Sequence, residues 1–278
     1  MFFNSSMEKY EILNRNHLKY LAIIFMMIDH VSFFYDPSNP IIIACGFISR
    51  TTAPIMALFI AEGYHYTRDV KKYMKRLFIF AIISYLPFTL FLTGSVIPVQ
   101  LLPGIVTPEF FLASGELNPQ PFVHLLNSTI VILQTSVIFT LFLGLFTIYL
   151  WDKINLPSYI KVIITLLIVW ISAFSDWYFL LIAMCLIFYF FKDDPKKLWG
   201  AFSIIALLSM FSVRLFANPF YPAFSMNFDL SEAGIILVPL FFALYNGKPG
   251  SKASFHKWFF YIFYPGHLLL LGLIRLLI

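Results

Sequence analysis

Residues 18–36 read LKYLAIIFMMIDHVSFFYD. Nineteen residues at a helical rise of about 1.5 Å span about 28 Å, close to the hydrocarbon thickness of a bilayer. The run is too long for the apolar region of a signal peptide, and no small-residue cleavage site follows it. We read it as a retained membrane helix. Backbone polar groups in lipid must pair within their own segment, which makes such a run helical. It nevertheless carries Asp29 and His30, two groups that are costly to place inside a membrane.

The rest of the chain repeats the pattern. Of 278 residues, 60% are hydrophobic and 12% charged, with mean hydropathy +0.83. A soluble domain carries about twice that charge. The 34 phenylalanines suit lipid-facing surface and core alike. Apolar runs place helices at 18–36, 41–65, 76–94, 129–151, 158–175, 177–191, 197–216, 230–246 and 256–277, with 158–175 and 177–191 short enough to form one hairpin. The Pro- and Gly-rich loop 95–128 leaves room for a re-entrant or interfacial helix. The expected fold is an all-α polytopic membrane bundle of about 9–10 transmembrane helices in a single domain, 1–278.

Charge sets its direction. With the N-terminus in the cytoplasm, every one of the 19 basic residues except Arg50, Arg214 and Arg275 falls on the inner side, and loop 95–128, which has no Lys or Arg, faces outward. The net charge of +5 is therefore explained by topology and lipid, and no nucleic-acid partner is expected. Cys45 and Cys185 both lie in apolar runs, so neither a disulfide nor a metal site is expected. Asn127-Ser128-Thr129 forms a glycosylation sequon on the outer side.

The intramembrane ionisable residues are the functional candidates: Asp29, His30, Arg50, Glu62, His65, Asp176, Arg214, Glu232 and His267. Counting helical rise puts His30 about 18 Å, Arg50 about 16 Å and His267 about 15 Å from the cytoplasmic side. Three helices thus bring them to one depth, with Asp29 adjacent. A histidine beside a carboxylate and a cation suits general-base chemistry. The plainer alternative is a polar cluster that only holds the bundle together. Pro54 frees the Arg50 carbonyl and suggests a kink there. Lys19 precedes His30 by three turns on one face, so a cation near the cytoplasm leads to a histidine near mid-membrane. It also reads as a snorkelling anchor. Glu62, His65, Arg68, Lys71, Lys72, Lys75 and Arg76 crowd the cytoplasmic end of the second helix, where cations suit phosphates or lipid head groups equally. Asp176 and Arg214 lie near outer helix ends and suit an ion pair or an acceptor contact. Arg275 reads as a terminal anchor.

These blocks resemble a known family. Leu18 to Ala22 leading to Met27-Ile28-Asp29-His30, then Gly46 to Arg50, Pro54 and Ala61 to Arg68, then Lys72 to Leu77, resemble the TraX family of F-pilin acetylases. So do Phe139-Thr140-Leu141 with Gly144, Asp176-Trp177-Tyr178, Leu244 to Lys248, and Phe260 to Leu269 around Tyr264-Pro265 and His267. Ser136, Trp177 and Gly266 depart from the pattern. The family is similar in turn to the wider transmembrane acyltransferases, among them polysaccharide O-acetylases and a lysosomal heparan glucosaminide N-acetyltransferase.

The resemblance implies an acetyl-CoA-dependent N- or O-acetyltransferase in a bacterial inner or cytoplasmic membrane, with an acceptor peptide or glycan reached from the outer side. It implies His30 as general base or transient acyl carrier, Asp29 as its orienting group, and Arg50 or His267 as oxyanion donor. Lys19, Glu62, His65, Arg68, Lys72 and Tyr264 would bind the donor. A proton-coupled transporter or flippase, or a non-catalytic partner of a conjugation or secretion system, stays open beside it.

Overall fold

The computed structural model describes residues 12–94, 134–210, 230–251 and 253–278, with Lys257 described in backbone only. Loop 95–128 with its sequon, Lys9, Lys252 and Arg214 lie outside the described residues. So do the start of the helix expected at 129 and the end of the one expected at 216.

Several helices open on a side-chain cap. Asn14 accepts from the His17 N–H and opens α1 (Arg15–Ser32). Asn39 accepts from the Ile41 N–H, with Pro40 at the first position of α2 (Pro40–Ser49). Then comes α3 (Thr52–Tyr66). Asp69 accepts from the Lys72 N–H and opens α4 (Val70–Thr93); that hydrogen bond holds its carboxyl below the usual carboxylate range. After these follow α5 (Val137–Lys153), α6 (Ser158–Ser172), α7 (Tyr178–Phe190) and α8 (Pro195–Met210). A 3-10 turn (Glu232–Leu237) runs into α9 (Val238–Ala243), and α10 (Ser254–Leu277) closes the chain. No strand occurs among the described residues.

The fold is a membrane helix bundle. Pro40–Tyr66, Val70–Thr93 and Ser254–Leu277 are long and apolar enough to cross a bilayer, and Ser158–Ser172, Tyr178–Phe190 and Glu232–Ala243 are shorter apolar helices. The outward faces are apolar. Ile163, Leu166, Leu167 and Trp170 of α6 are more than half exposed. Such a surface is a liability in water and natural in lipid. Inside, α4 packs on α10 and α5, α7 on α5 and α3, and α1 on α2 and α3.

Side-chain contacts tie the two ends separately. At one end Arg15 meets Glu62, Tyr64 and Tyr189 donate to Asp152, and Lys192 approaches His65. Lys72, Lys153 and Lys197 project here too, and the charge rule places this basic end in the cytoplasm. At the outer end Thr135 bonds Ser175, and Arg275 donates to the Phe91 and Leu92 carbonyls that end α4.

One expectation is sharpened, the kink suggested by Pro54, and one changes. The helix expected over 41–65 is broken at Arg50 and Thr51. Pro54 has no N–H to return to the Arg50 carbonyl, and the Thr51 N–H turns back to Ile48 at 3.3 Å instead. The helix expected over 230–246 is half 3-10, and its Gly234 lies against the Phe47 carbonyl; a Cβ there would sit 1.5 Å from that oxygen. The segments at 158–175 and 177–191 do form a hairpin, α6 and α7, joined by a tight turn.

Candidate functional site

A cavity of about 540 Å³ lies between α1, α3, α4, α5 and α10. Its walls run from Arg15, Lys19, Arg76 and His256 at the basic end, past Ile23, Met26, Met56 and Leu141, to Asp29, His30, Arg50, Asp176 and Trp177. Mostly apolar walls with charges at both ends suit a ligand whose reactive part must reach a dry centre.

His30 is the centre of the upper part. Its Nδ1 lies 2.7 Å from His267 Nε2, and His267 Nδ1 lies 2.9 Å from the Phe263 carbonyl oxygen. A carbonyl only accepts, so His267 carries its proton on Nδ1 and offers the lone pair of Nε2. His30 then donates through Nδ1 and keeps a lone pair on Nε2. Phe91 packs against the His30 ring and Phe263 stacks on His267, which fixes both rings in apolar surroundings. His267 is 5% exposed and sits behind His30, off the cavity wall. Both its nitrogens are engaged, one with His30 and one with the Phe263 carbonyl, which suits an orienting part better than the one expected for it at an oxyanion.

Arg50 and Asp29 also differ from expectation. Arg50 Nε lies 3.2 Å from Glu232 Oε1, and its guanidinium carbon sits 5.7 Å from the Trp177 ring centroid. Gly234 allows this by bringing the 3-10 turn against α2. Asp29 makes neither of the contacts described for His30 and Arg50: Arg50 pairs with Glu232 and His30 with His267. Asp29 faces the cavity within electrostatic reach of Asp176, which also feels Arg50 and Glu232. Backbone bonds between Thr135, Phe174 and Asp176 pin the α6–α7 turn, as does the Thr140 hydroxyl at 2.6 Å from the Asp176 carbonyl. They hold Trp177 at φ +62°, a conformation strained for a bulky residue and characteristic of functional turns.

At the basic end Glu62 is buried and accepts from Arg15 Nε at 2.9 Å and from the Tyr245 hydroxyl at 2.9 and 3.0 Å. These contacts hold Arg15 at the mouth, and Glu62 itself, expected among the ligand-binding residues, stands behind the cavity wall. Lys19 Nζ lies 5.1 Å from the centroids of both Phe59 and Phe260 and makes no ion pair among the described residues. Cation–π contact holds the ammonium in place without neutralising it. His65, Arg68 and Lys72 stand off the wall. His65 is exposed beside Lys192, Arg68 is exposed, and Lys72 pairs with Asp69. Arg15 and Arg76 line the cavity in their stead. Arg15 looked like a topological anchor, and the one available signal was that it shares a helix face with Lys19; Arg76 belonged to the cluster of cations that suit phosphates or lipid head groups equally. Tyr264 is buried and lines the cavity, as does Trp177.

Together these features define a class: a helical membrane protein with a polar site enclosed at mid-bundle, cations at one mouth and carboxylates at the other. The chain belongs to the TraX family, whose description is TraX protein and whose pattern matches residues 14–275. It is 26% identical over 258 residues to the probable fimbrial assembly protein FimC, serogroup H1, of Dichelobacter nodosus, covering 91% of this chain and 92% of that protein. No solved structure matches.

Proposed function

We propose that this protein is a membrane acetyltransferase of a bacterial inner membrane, moving an acetyl group from cytoplasmic acetyl-CoA to an amine on a pilus or fimbrial subunit. The observation that carries the reading is the ordered chain from the Phe263 carbonyl through His267 to His30, which leaves one basic nitrogen on a residue that lines the cavity.

Lys19, Arg15 and Arg76 grip the phosphates of the donor at the basic mouth. Lys19 and His30 are eleven residues apart on one face of α1, about 16 Å, which lets an extended pantetheine arm carry the thioester to mid-membrane. His30 Nε2 takes the proton from the acceptor as its nitrogen attacks the thioester carbon. As the C–S bond breaks, His30 returns that proton to the leaving thiolate. Among the described residues Asp29 and Asp176 line the outer half of the cavity and Glu232 pairs with Arg50; these carboxylates favour an amine, which enters as its ammonium and gives one proton to a carboxylate before its nitrogen attacks, over a neutral hydroxyl. The fimbrial relative points to a subunit of a surface fibre as the bearer of that amine.

The test is thiol release by the purified protein from acetyl-CoA in the presence of a peptide with a free N-terminus. Release that disappears in His30→Ala supports the reading; equal release by that variant defeats it.

A further inference from the structure

A tetrahedral intermediate needs a hydrogen-bond donor for its oxygen, and the two donors expected from the sequence are engaged elsewhere. Arg50 Nε lies in ion-pair range of Glu232 without a well-aligned hydrogen bond and its guanidinium sits near Trp177, while His267 spends both nitrogens on His30 and Phe263. The hydroxyls of Ser49 and Thr52, which line the outer half of the cavity, donate to the Cys45 and Ala22 carbonyls. Tyr264 is different. It lines the same cavity on α10, one turn before His267, with its ring edge-on to that histidine at 5.5 Å. Its Oη is buried beside Ser136 and the first N–H of α5, yet forms no well-aligned hydrogen bond with either, and Ser136 Oγ is left the same way. Buried hydroxyls are nearly always satisfied, so two adjacent orphans call for an explanation. The positive end of α5 lies behind the phenol and strengthens it as a donor.

We propose that Tyr264 is a catalytic residue, its phenol donating to the oxygen of the tetrahedral intermediate, and not a residue that grips the donor's phosphates. The role rests on the acetyl-transfer reading. As the acceptor nitrogen bonds to the thioester carbon, the carbonyl oxygen becomes an alkoxide that accepts from Tyr264 Oη. The carbonyl re-forms as the C–S bond breaks and His30 protonates the thiolate. Tyr264 keeps its proton throughout.

The test compares wild type, His30→Ala and Tyr264→Phe in detergent, measuring kcat, KM for acetyl-CoA, binding of CoA itself and melting temperature. The expected result is a kcat lower by about 10²- to 10³-fold in Tyr264→Phe, with KM, CoA binding and melting temperature unchanged. Wild-type kcat in Tyr264→Phe, with His30→Ala inactive, overturns this role and leaves the acetyl-transfer reading standing. A raised KM at unchanged kcat also overturns it, since the phenol would then be a binding group. No turnover by the wild type overturns both. If Tyr264→Phe fails to fold, 3-fluorotyrosine at position 264 supplies the measurement: a kcat shifted at constant KM supports the role, and an unchanged kcat defeats it.

Discussion

His30 Nδ1 and His267 Nε2 lie 2.7 Å apart although 237 positions separate the two residues in the chain. The contact joins α1 to α10 and orders the protons of both rings, because the Phe263 carbonyl accepts from the far side of His267. On the proposed reading, His267 stands to His30 as a buried carboxylate stands to the histidine of a hydrolytic triad: it selects the tautomer and holds the ring. Replacing His267 with Phe keeps an aromatic ring in the slot and removes the acceptor. We expect kcat to fall by about 10²- to 10⁴-fold with KM for acetyl-CoA held. The double variant with His30→Ala should be no slower than His30→Ala alone, since the two residues act as a unit. Multiplying losses in the double variant would show that they act separately.

Lys19 gives a sharp contrast with the basic residues at the surface. Lys19→Met preserves most of the side-chain volume between Phe59 and Phe260 and removes the charge. Affinity for CoA should weaken by about 10- to 100-fold, the worth of one charge-assisted hydrogen bond. Lys72→Met and Arg68→Met should leave affinity within about twofold, because both cations are exposed, Lys72 paired with Asp69, and exposed charges contribute little. Titration calorimetry in detergent reads all three, and equal losses would argue for a diffuse surface site.

Glu62 is 1% exposed and holds Arg15 and Tyr245. Removing only the cation, as in Arg15→Met, leaves a buried carboxylate with a single phenolic donor. Stability should drop by about 3 kcal/mol, at the low end for a broken buried pair because Tyr245 remains. The pair variant Arg15→Met with Glu62→Leu should recover most of that loss. Thermal melting followed by retention on size exclusion measures it. An unaltered melting temperature in Arg15→Met would mean that the pair carries no structural weight.

Gly234 predicts a different kind of failure. A Cβ at this position would meet the Phe47 carbonyl oxygen at 1.5 Å, and backbone cannot yield as a side-chain tip does. Gly234→Ala should cost at least about 3 kcal/mol and push Glu232 away from Arg50. A fluorescence shift of Trp177, whose ring covers Arg50, would report the separation before global unfolding.

Much of the bundle was legible in the sequence because lipid imposes one strong rule: long apolar runs become helices. Arg50 also signalled its own break, through Pro54 four residues on. The site was legible by depth but not by pairing. Rise per residue places His30, Arg50 and His267 near one level, yet it cannot say that His30 takes His267 while Arg50 takes Glu232, since helix order around the bundle decides that. Arg15 and Arg76 were hidden for a related reason. A cation at a helix end looks the same whether it anchors the helix in lipid or lines a cavity, and only packing of α1 and α4 against the cavity distinguishes them. Glu62 shows the opposite limit: a buried carboxylate invites a ligand in the sequence, and its partners in the fold are Arg15 and Tyr245.

The central claim is that His30 removes a proton from an acceptor held at the outer end while the thioester arrives from the basic end. The most direct measurement uses proteoliposomes with labelled acetyl-CoA on the face that exposes the basic end and an amine-bearing peptide on the other. Label appearing on the peptide amine across the membrane, and lost in His30→Ala, is the predicted result. Peptide that stays unlabelled, or label that transfers equally well in His30→Ala, would contradict the account.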